Sequence, residues 1–493
     1  MNLKIIITFI SILPIVYGCS NDKQETGFEK YALISGKVNN YDRKSFVITF
    51  SKLLDPKKLT EIYRADIDEN NEFAIKVPIH FTQEFTVLGT SLLCSPGDSI
   101  NIIIGSQHEN NMKQPAIIDL QGSKSKINQE LLLFQANFPT DKEVGIEKND
   151  LKKMSPYEYR TFIEQREEIY REYLKDFCNS NSTSLLFQKW ANDKISYGSF
   201  NDLMRYRWLK KAYSNSDTGS VIIPEAYFSF IEEYDMNDST LFTFEHSFFL
   251  HELWMYSRIN PSDSLEKWMS LFEENNENGM MQIMKNMIIY NSEGFTRDVL
   301  FSKQYILFLR SLELDLFESY YDSSLITKPY FRNIINAEYL QTKDYLAKKI
   351  SDESNITAID SSLVSNILLQ LTSKYSGNVI YIDFWAPWCS PCMKEMPNSK
   401  EIQEYFRNEN VVFLFLANRC KEDSWKATIA NKNLAGEHIL LTDDQFKELS
   451  KLLNIDGIPH YTLIDHDGNI VFKDAPRPSE KNKLISEIIK LLS

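Results

Sequence analysis

Cysteine is scarce: six in 493 residues, too few to staple a chain of this length into a disulfide scaffold. Basic charge is outnumbered. Lys and Arg total 54 against 68 Asp and Glu, a net charge of −14. That balance argues against sequence-independent nucleic-acid binding, which needs a basic surface. Long apolar runs are missing as well, and nothing reaches the ~20 residues that span a bilayer core. No fixed repeat period supports a solenoid. What remains is a chain 43% hydrophobic and 25% charged, with 31 Phe and 25 Tyr to build cores. It is a folded chain long enough for about three domains of ~150 residues.

The N-terminus reads as an address. Lys4 precedes an apolar stretch, Ile5 to Val16, which is too short to span a membrane and fits a secretory signal over residues 1–18. The signal ends Val16-Tyr17-Gly18-Cys19, which resembles a bacterial lipobox, with Cys19 as the lipidated first residue of the mature protein. Residues 19–30 read as a polar tether. Ser20 rather than Asp follows the cysteine, so inner-membrane retention is not signalled. The expected location is the cell envelope: lipid-anchored, most simply on the periplasm-facing side of the outer membrane, and oxidising.

Residues 31–122 carry short β-branched and aromatic runs (32–38, 46–50, 73–77, 100–104) separated by turn formers such as Pro96-Gly97-Asp98. This predicts a β-sandwich with no catalytic set. Residues 123–350 switch to helical period, which predicts an all-α domain. Helices are expected over 157–177, 184–213, 224–234, 245–258, 264–274, 280–290, 296–312 and 332–349. His246 and His251, five apart, point away from each other on a helix and make a poor metal pair. The methionines from Met280 to Met287 read as core filler.

Residues 351–493 form an α/β layer pattern with a short mixed sheet. Val379–Phe384 and Val411–Ala417 read as buried strands, and a hairpin spans 461–472. A final helix over 479–492 is expected to be capped by Ser479. The first strand runs into Trp385-Ala386-Pro387-Trp388-Cys389-Ser390-Pro391-Cys392 at a helix start. A C-x-x-C serves zinc or redox chemistry. This one has no second C-x-x-C and no nearby histidine, which favours redox and no metal or other cofactor. A peroxiredoxin motif would require Ser or Thr where Ala386 stands.

These residues, with Ile458-Pro459 and a hairpin downstream, resemble the thioredoxin fold and the TlpA/ResA-like membrane-anchored thiol–disulfide oxidoreductases. The resemblance covers about a quarter of the chain. It implies a C-terminal α/β thioredoxin fold, so the whole is read as multidomain: β-sandwich, all-α domain, thioredoxin domain. It implies a redox-active Cys389–Cys392 disulfide. Cys389, at the helix N-terminus, is the nucleophile, and the more buried Cys392 resolves the mixed disulfide. Asp383 and Glu395 are candidate bases for Cys392. A cis Ile458–Pro459 bond and Trp388 would line the substrate groove; His460 is expected to be a packed neighbour. Implied partners are protein disulfides and a membrane electron donor of thiol-reducing type, in a role such as cytochrome complex assembly. A second reading stays open: a binding or assembly lipoprotein whose thioredoxin domain is vestigial. Cys420 is expected to be a free or buried thiol. Cys94 and Cys178 fall in different predicted domains.

Overall fold

The computed structural model describes residues 31–39, 44–109, 112–139, 145, 148–213, 223–259, 277–352, 354–357, 364 and 366–492. The signal, the whole tether with Cys19, and the helix expected over 264–274 lie outside the described residues. Two compact units emerge. Among the described residues, one holds Tyr31–Ile306 together with Tyr320–Asn333; the other holds Leu307–Ser319 and the chain from Ile334.

The first unit begins with eight strands: β1 (Tyr31–Val38), β2 (Ser45–Ser51), β3 (Thr60–Asp66), β4 (Glu72–Pro78), β5 (Gln83–Val87), β6 (Thr90–Cys94), β7 (Ser99–Glu109) and β8 (Met112–Gly122). They form two four-stranded sheets, β4-β1-β7-β8 and β3-β2-β5-β6. Ile34, Ile100 and Ile102 of one share a core with Phe46, Ile48 and Phe85 of the other. Gly36 is required in β1, because a Cβ there would stand 1.8 Å from the Ile102 carbonyl oxygen. Four of these strands have no counterpart in the sequence reading. β3, for example, is an edge strand that buries only Ala65 and exposes Ile62, Arg64 and Asp66, so it shows no apolar-in, polar-out alternation.

Helices follow: α1 (Ser125–Ala136), α2 (Lys148–Lys153), α3 (Pro156–Ser180), α4 (Leu185–Tyr213), α5 (Phe244–Ile259), α6 (Glu277–Asn291) and α7 (Gly294–Arg310). A capping box at Ser155 and Glu158 starts α3. The α-helix expected over 224–234 is instead a 3₁₀ helix, Glu225–Glu233. Its buried residues Tyr227 and Phe230, and Phe228 and Ile231 with the C-cap Tyr234, recur every three positions, the 3₁₀ period. His246 is occupied within the fold: its Nε2 bonds the Tyr234 hydroxyl at 2.9 Å and its Nδ1 the Leu241 carbonyl at 3.2 Å.

The second unit does not begin at residue 351. It takes in α8 (Leu314–Tyr320) up to Ser319 and the part of α9 (Pro329–Ala347) from Ile334 onward. There Leu312 and Tyr345 pack on Ala427, Asn431 donates to the Tyr345 carbonyl at 2.7 Å, and Lys421 pairs with Glu313 at 2.6 Å. Its remaining elements are β9 (Ser354–Ile356), α10 (Ile367–Ser373), β10 (Val379–Trp385), α11 (Ser390–Tyr405), β11 (Val411–Ala417), α12 (Glu422–Lys432), β12 (Gly436–Leu440), α13 (Asp443–Leu453), β13 (His460–Ile464), β14 (Ile470–Phe472) and α14 (Lys481–Leu492). The sheet order is β14-β13-β10-β11-β12-β9. β10 runs parallel to β11 and antiparallel to β13.

β10 is buried along its whole length, and its two faces part company by the strand's period of two. Ile380, Ile382 and Phe384 join the core under α10 and α13. Val379, Tyr381 and Trp385 join the core that holds Cys389, Cys392, Met393 and Met396 of the α11 segment. Asp383, between Tyr381 and Trp385 in this alternation, is therefore on the α11 side.

Candidate active site

Cys389 is the N-cap residue of α11, with φ −80° and ψ 105°, and its Sγ accepts the backbone N–H of Cys392 at 3.2 Å. That donor is one of the amides a helix start leaves without an intrahelical partner, and together with the helix dipole it favours a thiolate at Cys389. Pro391 sits in the first turn, where its missing N–H costs nothing. Cys389 and Cys392 form a disulfide with Cα atoms 5.3 Å apart. Both are buried in the disulfide form, and Cys392 is the more buried only by a margin, 2% exposed against 3% for Cys389. What separates them is the amide on Cys389.

Asp383 is 4% exposed, and its Oδ1 has no hydrogen-bond partner among the described residues. Burial holds its carboxyl well above the ordinary 3.8, and the charge of Glu395 adds to this. Glu395 is in a different position. Its Oε2 accepts the backbone N–H of Ser479 at 2.8 Å and its Oε1 accepts the Ser479 hydroxyl at 2.9 Å. The final helix begins at Lys481, so Ser479 is not its cap. The Ser479 hydroxyl goes to Glu395 because a buried carboxylate needs donors more than an exposed helix start does.

The Ile458–Pro459 peptide is cis. The strand it leads into sets Tyr461 directly opposite Asp383. The Tyr461 ring stacks on Tyr381 at 5.5 Å, and its hydroxyl is buried without a partner among the described residues. Burial and the neighbouring Asp383 push the Tyr461 phenol upward. The sequence reading has Tyr461 only as the start of the hairpin and gives it no place in the site; pairing the hairpin strand against β10 in register would have found that place. Trp388 is half-buried, and its Nε1 donates to the Arg419 carbonyl at 2.7 Å in the loop after β11. Ile458 packs against both cores of the unit. His460 is buried and its Nε2 bonds the Lys473 carbonyl at 2.6 Å.

Cys94, Cys178 and Cys420 are free. Burial, with Glu313 nearby, pushes the Cys420 thiol up to about 12, which leaves it protonated and unreactive at neutral pH.

The site therefore joins a helix-capping sulfur, a second sulfur three residues on, and a buried carboxyl on the strand beneath. This set can exchange a disulfide and hold the proton released. A family described as thioredoxin-like matches residues 377–470. The thiol-disulfide oxidoreductase ResA of Bacillus thuringiensis subsp. konkukian is 29% identical over 100 residues, which cover 20% of this chain and 54% of that protein. ResA of Geobacillus kaustophilus is 25% identical over 124 residues, 24% of this chain and 70% of that protein. The chain thus spans little more than half the length of the first curated relatives it matches. A solved structure of a putative thiol-disulfide oxidoreductase from Bacteroides vulgatus aligns at 31% identity over 24% of this chain and 82% of its own, with a TM-score of 0.22. Among the described residues no helix is long and apolar enough to cross a membrane. The paired cysteines, the strand and helix that carry them and the matched relatives agree: the chain ends in a TlpA/ResA-like thioredoxin-fold domain.

Proposed function

We propose that the protein is a lipid-anchored, extracytoplasmic thiol–disulfide oxidoreductase that reduces disulfides of exported proteins. The observation that carries this reading is the Cys392 amide on the Cys389 sulfur at the start of α11. In the dithiol state Cys389 attacks as the thiolate. Its sulfur bonds one substrate sulfur, the substrate S–S bond breaks, and the other substrate sulfur leaves as a thiolate that takes a proton. Cys392 then loses its proton to Asp383, attacks the Cys389 sulfur, and releases the second substrate sulfur. Two electrons have passed to the substrate and the Cys389–Cys392 disulfide has formed. A thiol-reducing donor in the membrane returns them.

Asp383 is assigned the base role in preference to Glu395, because Glu395 spends both oxygens on Ser479. Trp388, Ile458 and Pro459 are assigned to the groove that receives the substrate strand, and Cys19 to the lipid anchor.

The test is insulin reduction by the full chain, with partner trapping in cells. Cys392→Ser should accumulate mixed disulfides through Cys389, and Cys389→Ser should not. A folded chain that neither turns over insulin nor traps partners would sink the reading in favour of a binding lipoprotein with a vestigial redox domain. Equal trapping by both variants would overturn the choice of nucleophile.

A further inference from the structure

Asp383 can take the Cys392 proton only if it is ionised in the dithiol chain. A carboxylate this deep in the protein needs hydrogen-bond donors, and an unmet one is costly. In the disulfide form its Oδ1 has none among the described residues.

The groups around Asp383 narrow the choice of donor. Glu395, from α11, accepts from Ser479 with both oxygens and offers Asp383 only like charge. Tyr381, two residues away on the same face of β10, already donates its hydroxyl to the Pro476 carbonyl at 2.7 Å. Arg477 and Glu480 act on this cluster only as charges, from exposed positions before α14. Trp385 keeps an unpartnered indole N–H, two residues along β10.

Tyr461 stands apart from these. It pairs directly with Asp383 across the antiparallel β10–β13 ladder. Residues paired in this way project from the same face with Cβ atoms ~4.5–5.5 Å apart. Tyr461 is 1% exposed, and its hydroxyl has no partner among the described residues. Of the charges that act on that hydroxyl, Asp383 comes first, ahead of Glu395 and Arg477. Two buried polar atoms, one on each member of a register pair, are both without a partner, where buried polar atoms are nearly always paired.

We infer that in the dithiol state the Tyr461 hydroxyl donates a hydrogen bond to Asp383 Oδ1 and so keeps that carboxyl ionised to receive the Cys392 proton. The inference rests on the oxidoreductase reading. Tyr461 is a positioning residue that acts through Asp383 and keeps its own proton throughout. When the Cys392 S–H breaks, its electron pair stays on sulfur, and the proton forms the O–H of Asp383. In the resulting disulfide form Asp383 is neutral, and no hydrogen bond joins it to Tyr461.

Tyr461→Phe in the full chain tests this, since phenylalanine keeps the stack on Tyr381 and removes only the hydroxyl. The acid limb of the pH profile of insulin reduction should move up by about one to two pH units, the loss of one hydrogen bond to a charged group. A merely structural hydroxyl would change the rate alike at every pH. Melting supplies a readout that needs no turnover. As the disulfide, the variant has no bond to lose and should melt at or above the parent temperature. As the dithiol at alkaline pH, it should melt lower by roughly 5 °C. If phenylalanine prevents folding, a ring-fluorinated tyrosine at position 461, a stronger donor, should move the limb down instead. An unmoved limb, or an equal melting loss in both redox forms, would overturn the inference and pass the role to a donor such as Trp385. A parent that reduces no insulin at any pH sinks the oxidoreductase reading by itself, and the melting comparison then decides whether Tyr461 serves Asp383.

Discussion

Asp383→Asn is the most informative perturbation of the thiol site. Asparagine keeps the shape of the side chain and removes the proton that titrates. The native carboxyl is held well above 3.8, first by burial and then by Glu395. Between 3.8 and the raised native value, the folded chain keeps a proton that the unfolded chain has released. Stability from this group is therefore complete below 3.8 and falls as pH rises through that window. One group contributes a slope of about 1.4 kcal/mol per pH unit. In a unit of this size that is roughly 3–6 °C of melting temperature per pH unit. Calorimetry of the oxidised chain and of Asp383→Asn, compared across a pH series starting just above 4, should show the variant gaining on the parent at that rate. The same substitution should slow insulin reduction by about 100-fold or more, the range of a lost general base. A melting difference that does not move with pH would mean that Asp383 is ionised in the fold. Undiminished turnover would remove it from the mechanism.

Glu395→Ala should destabilise the second unit by about 1.5–3 kcal/mol, because it strands a Ser479 N–H and hydroxyl that a carboxylate now accepts. Ser479→Ala, which removes one of the two bonds, should cost about 1 kcal/mol in the same urea titration. In the first unit, burial pushes Glu84 up to about 7, with Glu245 adding and Lys194 opposing. Its stabilising effect is then full below 4.5 and lost as pH rises to about 7, by an amount on the order of 3 kcal/mol. Glu84→Gln, which can still accept the Phe244 N–H, should flatten that loss in thermal melts. Gly36→Ala should cost about 1–3 kcal/mol or more, since the new methyl meets the Ile102 carbonyl rather than a side chain that can turn aside. An alanine variant as stable as the parent would place the strands differently.

How far the sequence is legible depends on where the physical signal is local. β10 and β11 are apolar throughout because parallel strands are covered on both faces, and both were readable to within a residue. The Cys389 position was readable because a helix start leaves its mark within four residues. β9 and β12 were missed: one is three residues long, and the other opens on Gly436-Glu437-His438. The Ser479 role was misread because the capping preference of serine is local, whereas its partner Glu395 lies 84 positions away. Tyr461 needed a strand register that only the folded hairpin supplies. The same limit explains the boundary. Helical periodicity says that 296–312 and 332–349 are helices, but not which core their buried faces join.

That boundary has a practical meaning. The chain passes between the two units at Ile306–Leu307, Ser319–Tyr320 and Asn333–Ile334. No single cut can release either unit whole. A nick between α9 and β9, the obvious place for a protease or a cloning junction, leaves the redox piece without Leu312 and Tyr345 over Ala427. A transplanted C-terminal segment that starts there would carry intact thiols on α11 but an uncovered α12. Gene shuffling that treats it as a detachable cassette should select for junctions upstream of α7.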